Sequence, residues 1–386
     1  MKHYFLMAAA LALAACDNKP SSGAPAGAAT SATRASATTT AAGSAAVKGL
    51  AAPDTDPQYA ALANELKACK EINTNCPAYA KKDDIGKNAS DAAAKAKARA
   101  TFFNWMEEPS SWQLRNAGAH ILWTQSLIDD AAAKDETLLK RVLAALQAEP
   151  GYGVASDNRY TAGQMADVLV RFVPTPAHRA AIAAFIADTS YKFASARGEV
   201  IRLLDAESFN EPAIFPKLKA IAESDGEDKD VRATVRDSLR KAKGDNLAWA
   251  KGWLKTQAAS SDAKWAGPST RMLAALGDAD DFKELLASLE KRSEDDYLYY
   301  ATWALADFLG RSDVTVDKAA SAKAAEKIAN DTKLRAMTRN NALDAIEASG
   351  EASFSAVATK LSQDKDASVA KHASDALERH KNAKKK

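Results

Sequence analysis

Apolar residues recur every three to four positions from about residue 57 to the end of the chain, which is the period of an amphipathic α-helix. Gly, Pro, Asn or Asp interrupt this pattern at intervals of about 12 to 20 residues. No segment shows a convincing alternation of apolar and polar residues, as a half-buried strand would. The pattern therefore predicts an all-α fold built from many helices of ordinary length.

The second half of the chain contains a repeat of about 35 residues. Apolar residues near the ends of successive predicted helices are spaced by 35, 37, 33, 37 and 31 positions, and they are Leu204, Leu239, Leu276, Leu309, Ile346 and Leu377. Four positions earlier stand Val200, Val235, Met272, Leu305, Ala342 and Ala373; eight positions earlier stand Ala196, Val231, Pro268, Ala301, Thr338 and Val369. Positions i, i+4 and i+8 share one helix face, so each unit presents the same stripe to its neighbours.

Glycines mark the ends of these predicted helices. Gly277 and Gly310 directly follow their apolar residues, and Gly244 and Gly350 come a few positions later. Glycine there suits the left-handed residue that often closes a helix. A polar residue able to cap the next helix then follows, namely Asp245, Asp278 or Ser312. Each unit is therefore predicted to be helix, turn, helix, turn.

The repeated helix resembles the second helix of HEAT repeats, which belong to the armadillo-type folds. The resemblance is carried by Asp230-Val231-Arg232 with Val235 and Leu239, by Arg339 with Ala342 and Ile346, and by Asp366 with Val369, Ala373 and Leu377. It covers residues 191–381 and implies an α-solenoid of stacked helix pairs, a fold whose surface usually binds another macromolecule. We expect residues 57–190 to form more divergent helical pairs and residues 382–386 to be a solvated basic tail.

The first fifteen residues have the pattern of a secretory signal peptide. Lys2 and His3 precede an apolar run over residues 4–15, which ends in small residues before Cys16. This run falls short of the roughly 20 residues that span a bilayer as a helix. Residues 1–15 are therefore predicted to be removed on export.

The segment Leu13-Ala14-Ala15-Cys16 resembles the lipobox of bacterial lipoproteins. The resemblance implies cleavage before Cys16 by signal peptidase II, a diacylglycerol thioether on its sulfur, and usually a third acyl chain (such as palmitate) on its new amino terminus. Two or three chains anchor a protein stably. Ordinary secretory cleavage beside an incidental Cys16 is the alternative.

Asp17 follows the predicted lipid-bearing residue, and in enterobacterial lipoproteins an Asp there is associated with retention in the inner membrane. The resemblance therefore implies a cell-envelope protein facing the periplasm, with the inner membrane favoured and the outer membrane still open. The anchor makes the membrane itself the first predicted partner.

Residues 16–56 are predicted to form a disordered tether that begins at the lipidated cysteine. Residues 21–46 have Arg34 as their one charge and contain no aromatic residue. Such a composition buries too little apolar surface to offset the entropy of ordering. The helical part would therefore stand clear of the membrane surface.

Composition narrows the function classes. The chain has 52 Lys and Arg against 50 Asp and Glu, a net charge of +2. This balance excludes a globally basic nucleic-acid binder, so no nucleic-acid partner is expected. The low content of Gly and Pro, 17 and 12 of 386 residues, agrees with a helical fold.

Cys69 and Cys76 are predicted to form a disulfide. On one unbroken helix they would lie about 10.5 Å apart along the axis, too far for a bond. Polar residues and a proline at positions 73–77 indicate instead that the helix ends near Ile72 and turns back. An oxidising compartment would then favour the bond. Free thiols and a metal site are the alternatives.

No sequence motif identifies catalytic chemistry. We find no His-Glu-x-x-His, no Gly-x-Ser-x-Gly and no P-loop. The acidic turn at 225–230 fails as an EF-hand loop because position 1 would be Ile221, so we interpret it as a helix-capping turn. The sequence therefore predicts no catalytic residue, cofactor or metal.

Aromatic residues cluster near positions 102–112, 249–265 and 297–303, and most are expected to fill the core. Tyr297 and Tyr299 are the best candidates for exposure, because Ala301 and Leu305 occupy the buried stripe of their helix. Tyrosine is favoured as an anchor in protein interfaces. We therefore expect Tyr297 and Tyr299 to contact a partner.

The sequence favours a non-enzymatic, membrane-anchored scaffold that binds another envelope protein. A module for peptidoglycan or another glycan is one alternative, since aromatic side chains could line its groove. An enzyme or enzyme subunit is the other, although its residues cannot be identified from the sequence.

Overall fold

The computed structural model describes residues 57–70, 75–85, 89, 91–149, 161–191 and 193–383. Contacts divide the chain into residues 1–51 and 52–386, and every described residue belongs to the second unit. The predicted signal peptide, Cys16, Asp17 and the predicted tether at 16–56 therefore lie outside the described residues, as does most of the basic tail.

Every regular element among the described residues is helical. The α-helices are α1 Pro57–Lys67, α2 Pro77–Ala80, α3 Ala92–Met106, α4 Trp112–Thr124, α5 Glu136–Ala148, α6 Thr161–Val170, α7 Pro176–Ala187, α8 Ala194–Leu203, α9 Ala206–Phe209, α10 Phe215–Glu223, α11 Lys229–Ser238, α12 Gly244–Ala258, α13 Ala263–Leu276, α14 Ala279–Lys291, α15 Asp295–Leu309, α16 Lys318–Ala329, α17 Ala336–Ser349, α18 Ser353–Leu361 and α19 Ala367–Ala383. Short 3₁₀ turns occur at Lys81–Asp84, Ala132–Lys134 and Leu239–Lys241.

From α3 onward the long helices pack as consecutive antiparallel pairs in two layers. The pairs are α3/α4, α5/α6, α7/α8, α10/α11, α12/α13, α14/α15, α16/α17 and α18/α19. We call the first helix of each pair the A layer and the second helix the B layer. Each B-layer helix contacts the B-layer helix of the next pair without interruption, from α4 to α19. This arrangement is an all-α α-solenoid of stacked helix pairs, as the sequence predicted.

The repeat found in the sequence is the buried stripe of the B layer. Of the 18 residues in its three rows, 15 are buried, and Met272, Leu276 and Leu377 are half-buried. Two of these exceptions lie in α13, which contains Pro268 and buries Leu273 instead. The stripe is therefore confirmed, with a one-residue shift in α13.

Of the four glycines predicted to be left-handed, Gly244 and Gly350 are and Gly277 and Gly310 are not; Gly244, with φ of 54°, begins α12 and does not close a helix. Gly350 closes α17 in the left-handed conformation, with φ of 72°. Gly277 and Gly310 instead have φ of −75° and −78°. Position 277 has no room for a larger residue, because a Cβ there would lie 2.8 Å from the side chain of Asp281. That side chain accepts from the backbone of Asp278, the predicted cap of α14.

The hydrophobic core shows no break near residue 190. One cluster of buried residues extends from Tyr59 to Leu273, and a second extends from Ala266 to Ala376. Both clusters include residues of α13, so that helix joins them. The helical pairs of residues 57–190 therefore belong to the same stack as those of 191–381.

Buried arginines join neighbouring pairs. Arg197 is the fourth residue of α8, and its Nε donates to the Ile186 carbonyl at the end of α7. Its two Nη atoms donate to the Glu227 carboxylate of the next pair, at 2.6 and 2.9 Å. Glu227 lies in the acidic turn at 225–230, and Asp228 of that turn caps α11. That turn therefore has the capping role predicted for it.

The same arrangement recurs in two other pairs. Arg115, the fourth residue of α4, binds the Glu108 carbonyl and pairs with Glu149 at 2.8 Å. Arg339, the fourth residue of α17, binds the Ala329 carbonyl and pairs with Asp364. In each case the guanidinium joins the end of the A-layer helix of its own pair, or the turn after that helix, to an acidic residue of the following pair.

Candidate partner-binding site

Helix α15 places three aromatic side chains on the exposed side of the B layer. Tyr299, Tyr300 and Trp303 are spaced as i, i+1 and i+4, and each is half-buried. The opposite face of α15 is buried in the core and includes Ala301 and Leu305. We call Tyr299, Tyr300 and Trp303, with the flanking Arg271 and Arg335, the aromatic patch.

Direct ring contacts hold the aromatic patch together. The ring centroids of Tyr299 and Tyr300 are 4.8 Å apart, and those of Tyr299 and Trp303 are 6.0 Å apart, both edge to face. The guanidinium carbon of Arg271 lies 3.1 Å from the Trp303 ring centroid, and that of Arg335 lies 5.4 Å from Tyr299. Helices α13 and α15 and the N-cap residue of α17 therefore contribute to one surface.

Backbone contacts position this surface. Gly267 of α13 lies so close to α15 that a Cβ would be 3.0 Å from the Tyr300 ring and 3.1 Å from the Asp296 carbonyl. From the other side, Asn341 of α17 donates to the Tyr299 carbonyl at 3.1 Å. The rings are thus fixed by the packing of α15 between its neighbours.

Partial burial changes the titration of the groups around the rings. It raises the pKa of the Asp307 carboxyl and of the Tyr300 hydroxyl, and it lowers the pKa of Arg271. The Arg271 Nε lies 3.8 Å from Asp307. The patch is therefore partly desolvated while still carrying hydrogen-bond donors, a combination typical of interface anchors.

The expected exposure of Tyr297 is wrong. Its side chain is only 2 % exposed, its hydroxyl lies 2.7 Å from Ser288 Oγ, and Arg292 stacks on its ring. Tyr297 precedes Ala301 by four residues and therefore continues the buried stripe of α15. Tyr299, the other residue predicted to contact a partner, is half-exposed in the patch.

Tyr300, Trp303 and the two arginines were not predicted from the sequence to contact a partner. The exposure of the three rings could have been predicted from helical spacing, since positions 299, 300 and 303 lie opposite the buried row of Ala301, Leu305 and Leu309. No local pattern indicated Arg271 or Arg335, because they approach the rings from α13 and the start of α17.

A small cavity lies between α12 and α14. Its volume is about 210 Å³, and Lys255, Asp281, Ser288 and Tyr297 are among its lining residues. Asp281 is buried, yet its charge is balanced by Lys255 Nζ at 2.6 Å and Lys251 Nζ at 3.7 Å. Its carboxylate also completes the cap of α14. The two ion pairs and the cap of α14 therefore give Asp281 a structural role.

Cys69 and Cys76 come together as predicted. Their sulfur atoms are 2.07 Å apart and their Cα atoms 5.8 Å apart. Helix α1 ends at Lys67, five residues earlier than the sequence suggested. Gln113 of α4 donates to the carbonyls of Lys67 and Cys69, which ties this turn to the first long pair.

Within the described ranges, no group of three or more His, Cys, Asp or Glu side chains is arranged to hold a metal ion. In the same part of the chain no helix combines the length and apolar character needed to cross a bilayer.

Comparison with known proteins identifies no family. No protein-family model matches the chain, and no curated protein matches it. Among solved structures, human deoxyhypusine hydroxylase in complex with glycerol aligns over 85% of this chain and 97% of its own chain, with 12% identity and a TM-score of 0.30. Similarity at this level supports no conclusion about function. The assignment of an α-solenoid depends on the helix contacts described above.

Proposed function

We propose that this protein is a lipid-anchored lipoprotein of the cell envelope whose α-solenoid binds another envelope protein through the aromatic patch. The observation that carries the proposal is the patch itself, in which three adjacent half-exposed rings and two stacked arginines lie on α13, α15 and the start of α17. Tyrosine, tryptophan and arginine are the residues most enriched in binding hot spots. The proposed scaffold has no catalytic role.

Crosslinking in intact cells tests the binding role. The full-length chain should capture one stoichiometric protein, and Tyr299→Ala with Trp303→Ala should abolish that capture. Trp112→Ala, a half-exposed aromatic residue in α4, is the matched control and should retain the partner. Equal capture by all variants would contradict the proposed site. Binding of the purified chain to cell-wall sacculi, lost in the same double variant, would instead favour the glycan-binding alternative.

The anchor is tested separately at Cys16, the last residue of the lipobox-like segment and the first after the predicted signal peptide. Cys16→Ser should leave the chain unprocessed or release it from membranes. A processed Cys16→Ser protein that fractionates with membranes as the wild type does would remove the anchor from the proposal. Asp17 supports the inner membrane, and sucrose-gradient separation of the two membranes tests that assignment.

Export also predicts the oxidation state of Cys69 and Cys76, whose sulfurs lie at bonding distance. Protein purified without reductant should show no free thiol at either position when it is alkylated and analysed by mass spectrometry. Complete labelling of both cysteines in freshly extracted protein would argue for a reducing compartment.

A further inference from the structure

A groove opens where the B-layer helices α4, α6 and α8 end, far along the chain from the aromatic patch. Its volume is about 590 Å³, and its lining residues include Trp123, Lys134, Arg171 and Leu203. Small-molecule sites usually occupy about 300–1,000 Å³ and combine apolar walls with a few convergent polar groups. This groove has both the size and the composition of such a site.

Arg171 in this groove lacks an ion-pair partner. Every other arginine among the described residues, apart from the exposed Arg240, has a carboxylate oxygen within 3.8 Å. Arg171 is half-buried and has none. A charge withdrawn from water is normally paired, so Arg171 is an exception that needs a physical explanation.

The surroundings of Arg171 hold its guanidinium in place without neutralising it. Its Cζ lies 4.1 Å from the Trp123 ring centroid, and its Nη2 donates to the Trp123 carbonyl at 3.1 Å. Burial lowers the pKa of the guanidinium. Asp167, one helical turn earlier, attracts the guanidinium but does not lie within ion-pair distance of it; burial and the nearby Glu199 raise the pKa of Asp167 to about 7.

The rest of the groove supplies a second cation and an apolar wall. Lys134 is exposed and likewise has no carboxylate within 4.0 Å. Of the two acidic residues in the lining, Asp205 is engaged in capping α9 at 2.7 Å from the Ser208 nitrogen, and Asp130 is exposed. Trp123, Leu203 and neighbouring prolines form the apolar surface.

We propose that this groove binds a small organic oxyanion, a carboxylate or a phosphate ester, through Arg171 and Lys134. The anionic oxygens accept from the two cations, and the apolar body packs between Trp123 and Leu203. A planar guanidinium suits such oxygens because it can donate two parallel hydrogen bonds. This site is separate from the aromatic patch and does not depend on the proposed scaffold function.

Calorimetric titration of the full-length chain tests the site with three probes that share one aromatic ring. Phenyl phosphate and benzoate carry the two candidate head groups, and benzyl alcohol is the neutral control. We expect saturable binding of at least one anion and none of the alcohol. Binding of phenyl phosphate alone identifies a phosphate ester as the ligand class, and binding of benzoate alone identifies a carboxylate.

Substitutions assign the binding to the groove. Arg171→Gln should weaken it at least about tenfold, equivalent to about 1.4 kcal/mol, while Arg171→Lys should recover part of the loss. Lys134→Ala changes an exposed side chain, so it tests the site even if Arg171→Gln fails to fold. Lys140→Ala, an exposed lysine on α5 paired with Glu136, should bind as the wild type does. Equal affinity in all variants, equal binding of benzyl alcohol, or no saturable binding would overturn the proposal.

Discussion

At the scale of single residues, buried charge is what joins one helix pair to the next. An arginine at the fourth position of α4, α8, α11 and α17 reaches the carbonyl end of the preceding A-layer helix or the turn after it. In α4, α8 and α17 the same guanidinium also pairs with an acidic residue of the following pair. In α11 the arginine is Arg232, and the Trp265 ring of the following pair replaces the acidic residue. The Arg232 guanidinium carbon lies 5.1 Å from the centroid of that ring. A buried charge with fixed partners defines the register between pairs as well as holding them together.

Removing one residue of such a buried ion pair should therefore lower the stability of the protein strongly. Arg197→Ala leaves Glu227 as an uncompensated buried charge, since both side chains are 3 % exposed or less. We expect it to lower the free energy of unfolding by about 3–5 kcal/mol, measured as a shift of the urea midpoint. Lys140→Ala, which breaks the exposed pair with Glu136, should leave the midpoint unchanged. Equal midpoints for both variants would show that the buried pair contributes little.

The titration of Asp167 should make the stability of the protein depend on pH. Its folded-state pKa of about 7 lies above the ordinary value of 3.8, because of burial and the neighbouring Glu199. Between these values the folded chain keeps a proton that the unfolded chain releases, so this contribution to stability is complete below about pH 4 and is lost as the pH rises through 7.

Asp167→Asn removes that titration and should reduce the fall in the urea midpoint between about pH 5 and pH 8. At pH 8 the variant should be more stable than the wild type. Asp245→Asn, an exposed substitution in α12, should follow the wild-type profile. Parallel profiles for all three proteins would contradict the assignment of the titration to Asp167.

At the scale of helices, the sequence predicted the buried stripe of the B layer because that stripe repeats the same chemistry every 35 residues or so. It did not predict the one-residue shift of the stripe in α13, a helix that contains Pro268 and whose Gly267 lies in close contact with α15. Helix–helix contact also explains Arg271, which reaches Trp303 from another helix. The burial of Tyr297 was predictable, because it lies four residues before the buried Ala301 on the same helix face.

Close helix packing is testable at Gly118, where α3 and α4 cross. A Cβ there would lie 2.6 Å from the Phe102 carbonyl oxygen and 2.7 Å from the Met106 nitrogen. Gly118→Ala should therefore force the helices apart and destabilise the chain by about 1–3 kcal/mol. Gly163→Ala in α6 meets no atom within 4 Å and should stabilise it by about 0.5–1 kcal/mol, since alanine favours a helix. Thermal unfolding distinguishes these opposite signs.

At the scale of the described unit, we expect a destabilising substitution to affect mainly the helix pairs next to it. Each B-layer helix contacts mainly its own partner and the two adjacent B-layer helices. In such an arrangement stability is approximately a sum of unit and nearest-neighbour contributions. The proposed oxyanion site lies at the ends of α4, α6 and α8 and at the 3₁₀ turn before α5, whereas the aromatic patch lies on α13, α15 and the start of α17. Substitutions in one site should therefore leave the other site intact.

Leu305→Asp tests this locality directly. Leu305 is fully buried in α15, so the substitution places an unpaired charge in the core and should cost several kcal/mol. Hydrogen exchange should show lost protection centred on residues 260–345, while the helices at 112–170 stay protected. Met337→Asp, at a side chain that is 58% exposed on α17, is the matched control and should leave the exchange pattern unchanged. If the pairs are stabilised mainly by their neighbours, loss of protection is confined to the pairs next to α15. Uniform loss of protection across residues 57–383 would contradict this and indicate one cooperative unit.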